Sequence, residues 1–196
     1  MRSDEDERYP SCISNRNLAP EGVARQSCPY DGSIVIAGSE DSSDSTAYIA
    51  EHGNDGLIGT CDNYFLSICY NGDRAYWEVD LASKSMIYSI GIYPRLSPDW
   101  THYLDGASLQ IYDGNQLQKE MLLVFNPALN IFYLPFSLPI VGDRVRLQSS
   151  KPELTACEVE VIGIPLDECG NQTNDQNIDG ITSDVLDGEY ITTNMF

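Results

Sequence analysis

The sequence predicts an all-β protein, a sandwich or jelly roll, and three observations support this prediction. The 196 residues include 12 Tyr, 15 Gly and 10 Pro, a composition typical of turn-rich β-structure. Between the turn signals, no amphipathic helical pattern is longer than about ten residues. Six Asp-Gly pairs and one Asn-Gly pair, which favour tight turns, divide the chain at 31, 55, 71, 105, 113, 179 and 187.

The segments between these turns are rich in β-branched and aromatic residues, and several alternate apolar with polar side chains. The runs Val145-Arg146-Leu147 and Val159-Glu160-Val161 show this alternation most clearly. Eight short strands in about 150 residues are typical of a sandwich or jelly roll. We expect these strands at Ser33–Ala37, Ala75–Leu81, Met86–Tyr93, Ala107–Tyr112, Gln116–Phe125, Asn130–Phe136, Asp143–Gln148 and Glu158–Ile164.

The charge balance excludes several classes of partner. The chain carries 30 acidic and 11 basic residues, a formal net charge of −19. Nucleic acids and anionic membrane surfaces bind through basic patches, so neither is an expected partner. The uncharged stretch Met121–Gly142 contains three prolines, which a membrane-spanning helix rarely carries, so we expect no membrane span. The sequence also lacks the motifs of serine hydrolases, zinc proteases, P-loop proteins and dinucleotide-binding enzymes, so we expect no enzymatic activity.

The cysteines indicate an oxidising compartment. The six cysteines lie at 12, 28, 61, 69, 157 and 169, without a Cys-x-x-Cys pair and without the spacing of a zinc site. An even number at long separations predicts three disulfides and an extracellular protein. The glycosylation sequon Asn171-Gln172-Thr173 agrees with secretion. Residues Met1–Arg8 are charged and no apolar stretch follows, so we expect no signal peptide in this sequence. Two interpretations stay open: the chain is a mature or fragmentary form of a secreted protein, or the secretion interpretation is wrong.

Composition also predicts the domain organisation. We expect an N-terminal tail over residues 1–14, one domain over 15–165 and an acidic polar tail over 166–196. The last segment carries seven acidic residues, no Lys or Arg and few large apolar side chains. This composition is typical of poorly ordered chain. Two roles remain open for it, an interaction tail and a linker towards a further domain.

Three stretches follow the order and spacing of the motifs of one family. Asn17–Ser27 is similar to the pattern N-[VL]-A-x-x-G-x-A-x-Q-S, and Leu154–Gly163 to L-x-L-C-E-[IV]-E-V-x-G. Between them, Tyr76–Arg95 is similar to a W-W-x-V-D-L strand followed by V-x-I-x-N-R. With these motifs the chain resembles the F-type lectin domain of fucolectins and tachylectin-related proteins, although other discoidin-type modules share the Trp-x-Val-Asp-Leu strand. The resemblance implies a discoidin/galactose-binding-like Greek-key β jelly roll that binds carbohydrate.

The resemblance also implies one disulfide. Family members join a cysteine after the first long loop to the cysteine of the C-E-[IV]-E-V motif, and these positions are Cys61 and Cys157 here. The other four cysteines allow three pairings. Because two of them bracket the domain, we expect the pairs Cys12–Cys169 and Cys28–Cys69.

F-type domains hold a structural calcium ion, so the resemblance implies a calcium site. The matching positions here are His52, Asn54, Asp55, Thr60, Cys157 and Glu158. His52 stands where the family has a carboxylate, and imidazole is a poor calcium ligand. Asp55 or Glu51 is the expected substitute. In the alternative interpretation, loop amides donate hydrogen bonds to Glu158 and no ion binds.

Family members that bind fucose use one histidine and two arginines, and this chain departs from that set. Arg95 matches the first arginine, whereas Asn63 and Tyr103 stand at the histidine and second arginine positions. His102 and Trp100 lie nearby and offer a polar donor and a ring that stacks on a sugar. Three interpretations stay open: binding of fucose, binding of another glycan, or a protein-interaction or structural module that has lost sugar binding.

Overall fold

A computed structural model describes residues 15–29, 48–58, 61, 63–95, 101–124 and 131–168, with backbone alone at 101 and 102. Regular structure in these ranges consists of β-strands and short 3₁₀ turns, so the all-β prediction is confirmed. The strands are β1 (Arg16–Asn17), β2 (Val23–Gln26), β3 (Phe65–Ile68), β4 (Tyr76–Tyr93), β5 (Ser108–Asp113), β6 (Gln116–Leu122), β7 (Phe132–Gln148), β8 (Glu153–Ala156) and β9 (Glu158–Pro165). The 3₁₀ turns span Ala19–Glu21, Ala50–Gly53 and Thr101–Leu104. Within the same ranges, no helix has the length and apolar character needed to cross a membrane.

Two antiparallel sheets form the domain. Seven strands build the larger sheet in the order β1-β9-β4-β7-β5-β6, with β2 paired to the first half of β4. The smaller sheet consists of β3 and β8. Strand β4 is central because it pairs with β2 and β7 near its beginning and with β7 and β9 near its end. Its last residues therefore lie beside the beginning of β9, where the third sequence motif is located.

The core lies between the two sheets. Trp77 and Val79 alternate with polar residues along β4 and are completely buried, as the period of two in a strand requires. Phe65 on the smaller sheet is also completely buried and stacks on Trp77, with ring centroids 5.5 Å apart. This aromatic pair joins the two sheets at the end of the domain where the loop at residues 48–58 packs.

The strand predictions are correct in type and partly wrong in extent. Ala75–Leu81 and Met86–Tyr93 belong to the single strand β4, because bulges at Asp80/Ser85 and Ile87/Ser89 absorb the interruption without ending the pairing. The two segments predicted between 130 and 148 are likewise one strand, β7, and the strand predicted at Gln116–Phe125 ends at Leu122. Four short strands (β1, β2, β3 and β8) were not predicted, since two to four residues carry no alternation signal. The strand predicted at Ser33–Ala37 lies outside the described residues.

The turn predictions and the first motif have local explanations. The glycines of the turn pairs at 55, 71, 105 and 113 all have positive φ, between 56° and 84°. In the first motif, Asn17 Oδ1 accepts hydrogen bonds from the backbone N–H groups of Ala19 (3.1 Å) and Val161 (3.0 Å). A Cβ at Gly22 would lie 2.6 Å from the Asp80 carbonyl oxygen, so this position requires glycine for close packing.

A buried carboxylate is paired on the outer face of the larger sheet. The Glu78 side chain is 6% exposed, and Oε2 accepts hydrogen bonds from Arg146 Nε at 2.8 Å and Nη2 at 2.6 Å. The Arg146 guanidinium also lies 4.4 Å from the ring centroid of Tyr76. Since β4 and β7 are neighbours in register here, the pair links the two central strands of the sheet.

An ion pair joins the two ends of the described chain. Arg16 on β1 donates to both carboxylate oxygens of Glu168, each at 2.6 Å, and also bonds to Glu21. The hydrogen bond from Arg16 lowers the pKa of Glu168 below its ordinary value. The expected Cys12–Cys169 bridge lies outside the described residues and stays a prediction.

Candidate functional site

The loop at residues 48–58 packs on the core pair. The Trp77 indole N–H donates to the Ala50 carbonyl at 2.8 Å. A Cβ at Gly53 would lie 2.6 Å from the Phe65 ring and 2.7 Å from the Trp77 nitrogen, so glycine is required for the loop to approach this closely. Asn54 Nδ2 donates to the Ala19 carbonyl at 2.7 Å and joins the loop to the first motif. The loop therefore has a defined position relative to β9.

Glu158 faces this loop from the beginning of β9. Its side chain is completely buried, and Oε1 accepts a hydrogen bond from the Gly56 N–H at 3.2 Å. Burial raises the pKa of Glu158 to about 8, and the nearby carboxylates of Asp55 and Glu160 also favour the protonated form. Over the described part of the chain, Glu158 Oε2 has no hydrogen-bond partner.

Two further buried polar atoms belong to the loop that faces Glu158. Asn54 Oδ1 and His52 Nδ1 are buried and lack a hydrogen-bond partner among the described groups. Unpaired buried polar atoms are costly, so a bound water or a cation would stabilise these groups. Amide and carboxylate oxygens are calcium ligands, so Asn54, Asp55 and Glu158 fit that ion. His52 does not fit, because a hard cation prefers oxygen.

The acidic side chains near Glu158 do not form a metal-binding cluster by themselves. Within the ranges that the structure describes, no three His, Cys, Asp or Glu side chains are arranged to hold a metal ion. A calcium ion here would therefore also need amide, carbonyl or water oxygens, which the ion commonly uses. Thr60, the other predicted side-chain ligand, lies outside the described residues.

Two disulfides connect segments that lie next to strands. Cys61 pairs with Cys157, with Cα atoms 5.2 Å apart, and Cys28 pairs with Cys69, with Cα atoms 5.3 Å apart. These are the two pairs that the sequence analysis expected for these four cysteines. The Cys157 N–H donates to the Tyr93 carbonyl at 2.8 Å. The first bridge therefore holds the segment that begins at residue 61 beside the end of β4.

Arg95 follows the end of β4 and lies over an aromatic ring. Its guanidinium carbon is 4.0 Å from the ring centroid of Tyr64, which is within the range of a cation–π contact. The Tyr64 ring is 5.2 Å from that of Tyr48 and tilted by 47° to it. Burial and a hydrogen bond with Tyr48 raise the pKa of Tyr64. Sequence reasoning missed both tyrosines, because neither belongs to a motif.

The predicted glycan residues are brought together in part. Asn63 is exposed beside Tyr64 and its Nδ2 lies 3.4 Å from Asp55 Oδ2, so it links the segment under Arg95 to the loop at residues 48–58. Tyr103 is half-buried in the 3₁₀ turn Thr101–Leu104, which packs against β8. Trp100 and the side chain of His102 lie outside the described residues. Their approach to Arg95 stays a prediction.

Comparisons with known proteins agree on the fold. Neither a family profile nor a curated protein sequence matches the chain. The lectin domain of lectinolysin, solved in complex with Lewis b antigen, matches with a TM-score of 0.60 and 17% identity over 76% of this chain and 97% of that one. A fucose-binding module of Streptococcus pneumoniae matches at 0.59 with 20% identity over 74% and 96%. A fucolectin from striped bass (Morone saxatilis) serum matches at 0.59 with 22% identity over 80% and 50%.

These similarities place the chain among the discoidin-type β jelly rolls, a fold that carbohydrate-binding modules share. A family 32 carbohydrate-binding module from Clostridium perfringens, solved with galactose, also has this fold, at a TM-score of 0.53 and 15% identity over 76% of this chain and 99% of that one. The same fold is thus found in solved fucose-binding modules and a fucolectin, in agreement with the fold that the resemblance of the three sequence motifs implies.

Proposed function

We propose that this chain is an extracellular carbohydrate-binding module whose glycan site centres on Arg95. The observation that supports this most directly is the position of the Arg95 guanidinium over the Tyr64 ring. Asn63 directly precedes Tyr64, and the nearby Cys61 is bonded to Cys157. Proteins with the same fold bind Lewis b, fucose and galactose. The two described disulfides support an oxidising compartment.

The chemistry of the proposed site suits a neutral sugar. A guanidinium offers paired N–H donors to neighbouring hydroxyl oxygens, and an amide such as that of Asn63 both donates and accepts. The Asp55 carboxylate, 3.4 Å from the Asn63 amide, disfavours anionic sugars at this site by like-charge repulsion. Fucose, or a related neutral glycan, is therefore the proposed ligand, with His102, Tyr103 and Trp100 as further contacts.

A glycan array followed by titration tests the proposal. L-Fucose, Lewis b tetrasaccharide and galactose are titrated into the parent protein and into Arg95→Ala and Arg95→Lys. Loss of a charged hydrogen bond is worth about 1.5–3 kcal/mol, so we expect affinity to fall by about tenfold or more in Arg95→Ala. Arg74→Ala is the matched control, because Arg74 is an exposed arginine just before β4 begins, far from Arg95 along that strand. Unchanged affinity in both Arg95 variants contradicts the assignment.

A structural calcium ion at the loop of residues 48–58 is the second part of the proposal. The unpaired buried oxygens of Asn54 and Glu158 support it, and Asp55 takes the role that His52 cannot fill. The backbone of Cys157 and the side chain of Thr60 complete the proposed ligands. Binding at one hundred times the dissociation constant stabilises the folded state by about 2.7 kcal/mol. A melting temperature that is the same in millimolar calcium and in chelator contradicts the calcium proposal while leaving the glycan proposal standing.

A protein-interaction or structural module of the same fold is the alternative function. One observation favours it: the amide of Asn63, at the position of the family's histidine, donates a hydrogen bond to Asp55 Oδ2 at 3.4 Å within the protein. If the parent protein binds no glycan on the array, this alternative replaces the carbohydrate proposal.

A further inference from the structure

We propose that Tyr64 is a positioning residue that holds the Arg95 guanidinium in the orientation in which it meets a glycan. The inference rests on the proposed function, since it concerns the same site. It assigns a role to a residue outside the sequence motifs.

The contact between Arg95 and Tyr64 is suited to orienting the guanidinium. The guanidinium carbon of Arg95 lies over the Tyr64 ring, 4.0 Å from its centroid, so the ring covers one side of the charged group. Guanidinium groups stack on aromatic faces, and the attraction comes from the negative face of the ring. A cation–π contact uses the charge of the guanidinium and does not require its N–H groups to donate to the ring.

The Tyr64 ring is itself held from two sides. Its hydroxyl is hydrogen-bonded to Tyr48, and the two rings are 5.2 Å apart. Tyr64 directly precedes Phe65, the first residue of β3, which is completely buried against Trp77. The backbone below the ring is therefore attached to the core and cannot move independently of it.

A fixed guanidinium has a physical advantage for a weakly binding site. An arginine side chain has many rotamers, and ordering it on binding costs free energy that subtracts from the affinity. Because the contact with Tyr64 already restricts the rotamers in the free protein, that cost is smaller when the ligand arrives. Tyr64 thus contributes to affinity through Arg95, without touching the sugar.

Two variants of Tyr64 separate the ring from the hydroxyl. Tyr64→Phe keeps the aromatic face, and we expect an affinity for Lewis b tetrasaccharide within about twofold of the parent. Tyr64→Leu removes the face, and we expect about fivefold weaker binding, which corresponds to about 1 kcal/mol. Tyr112→Leu is the matched control, because Tyr112 lies under Arg144, 4.8 Å from its guanidinium carbon, on the outer face of the larger sheet. It should leave glycan affinity unchanged.

A second measurement is independent of any ligand. In the free protein, the NMR signals of the Arg95 side chain should be shifted upfield by the Tyr64 ring current. The shift should persist in Tyr64→Phe and disappear in Tyr64→Leu, with melting temperatures recorded to confirm that both variants are folded. An Arg95 spectrum that is the same in Tyr64→Leu and in the parent overturns the positioning role.

The two measurements distinguish the possible failures. Equal glycan affinity in Tyr64→Leu and the parent, or equal losses in Tyr64→Leu and Tyr64→Phe, overturns the inference while the carbohydrate function stands. If the parent binds none of the sugars, the proposed function fails, and the NMR shift still decides whether Tyr64 holds Arg95 in place.

Discussion

Replacement of Glu158 by glutamine is expected to stabilise the metal-free protein above about pH 5 and to remove most of its response to calcium. The Glu158 side chain is completely buried, and its pKa is raised from 4.5 to about 8. The pKa in the folded state is thus above that in the unfolded state. Protonated Glu158 stabilises the fold fully below about pH 4.5, and this contribution is lost as the pH rises towards 8.

The size of the effect follows from the difference between these two pKa values. Each unit corresponds to about 1.36 kcal/mol. The full difference between 4.5 and about 8 is an upper bound, because the loop that covers Glu158 is exposed from Gly56 to Ile58 and solvent screens part of the charge. We therefore expect the glutamine variant to exceed the parent by about 3 kcal/mol in free energy of unfolding near pH 8. The two proteins should be nearly equal near pH 5.

Urea unfolding in chelator at several pH values between about 5 and 8 measures this difference. Glu51→Gln is the control, because Glu51 is an exposed carboxylate in the same loop, and it should follow the parent at every pH. With calcium at about one hundred times its dissociation constant, the parent should gain about 2.7 kcal/mol and Glu158→Gln far less. A stability difference between the parent and Glu158→Gln that is constant across the pH range would falsify the role assigned to burial of the charge.

Two further predictions concern the core and the outer face of the larger sheet. Arg146→Ala leaves the buried Glu78 carboxylate without its close partner and should cost about 2–3 kcal/mol in urea unfolding, with Glu78→Gln in the same chain restoring part of the loss. Arg144→Ala, on the same face, should lower the free energy of unfolding by less, and equal losses at the two arginines contradict this account. Trp77→Phe removes the indole hydrogen bond and leaves a small cavity, so it should lower the free energy of unfolding by about 2 kcal/mol. Tyr76→Phe on the outer face should lower it by under about 1 kcal/mol, and equal losses in these two variants contradict the central role of Trp77.

Parts of the site were predictable because they depend on local chemistry or on a motif. The pair Cys61–Cys157 followed from the resemblance, and Cys28–Cys69 was one of three choices that the sequence left open. Arg95 was identified because it ends a recognisable strand motif. Its partner Tyr64 was not identified, because Tyr64 belongs to no motif and the motif at Arg95 does not indicate which distant ring the arginine contacts. The sequence identified His52 as a poor calcium ligand but gave no indication that its Nδ1 is buried without a partner among the described groups.

The sequence by itself determined the all-β class, the turns at 55, 71, 105 and 113 and the cysteines that could pair. These depend on properties that a residue carries with it, such as the freedom of glycine at positive φ and the alternation of side chains along a strand. Only the tertiary structure decided that β4 is one strand, that Glu158 is buried beside unpaired oxygens and that Tyr64 lies under Arg95. Burial, pairing register and stacking depend on which segments distant in sequence come into contact. The residue pattern along the chain does not specify those contacts.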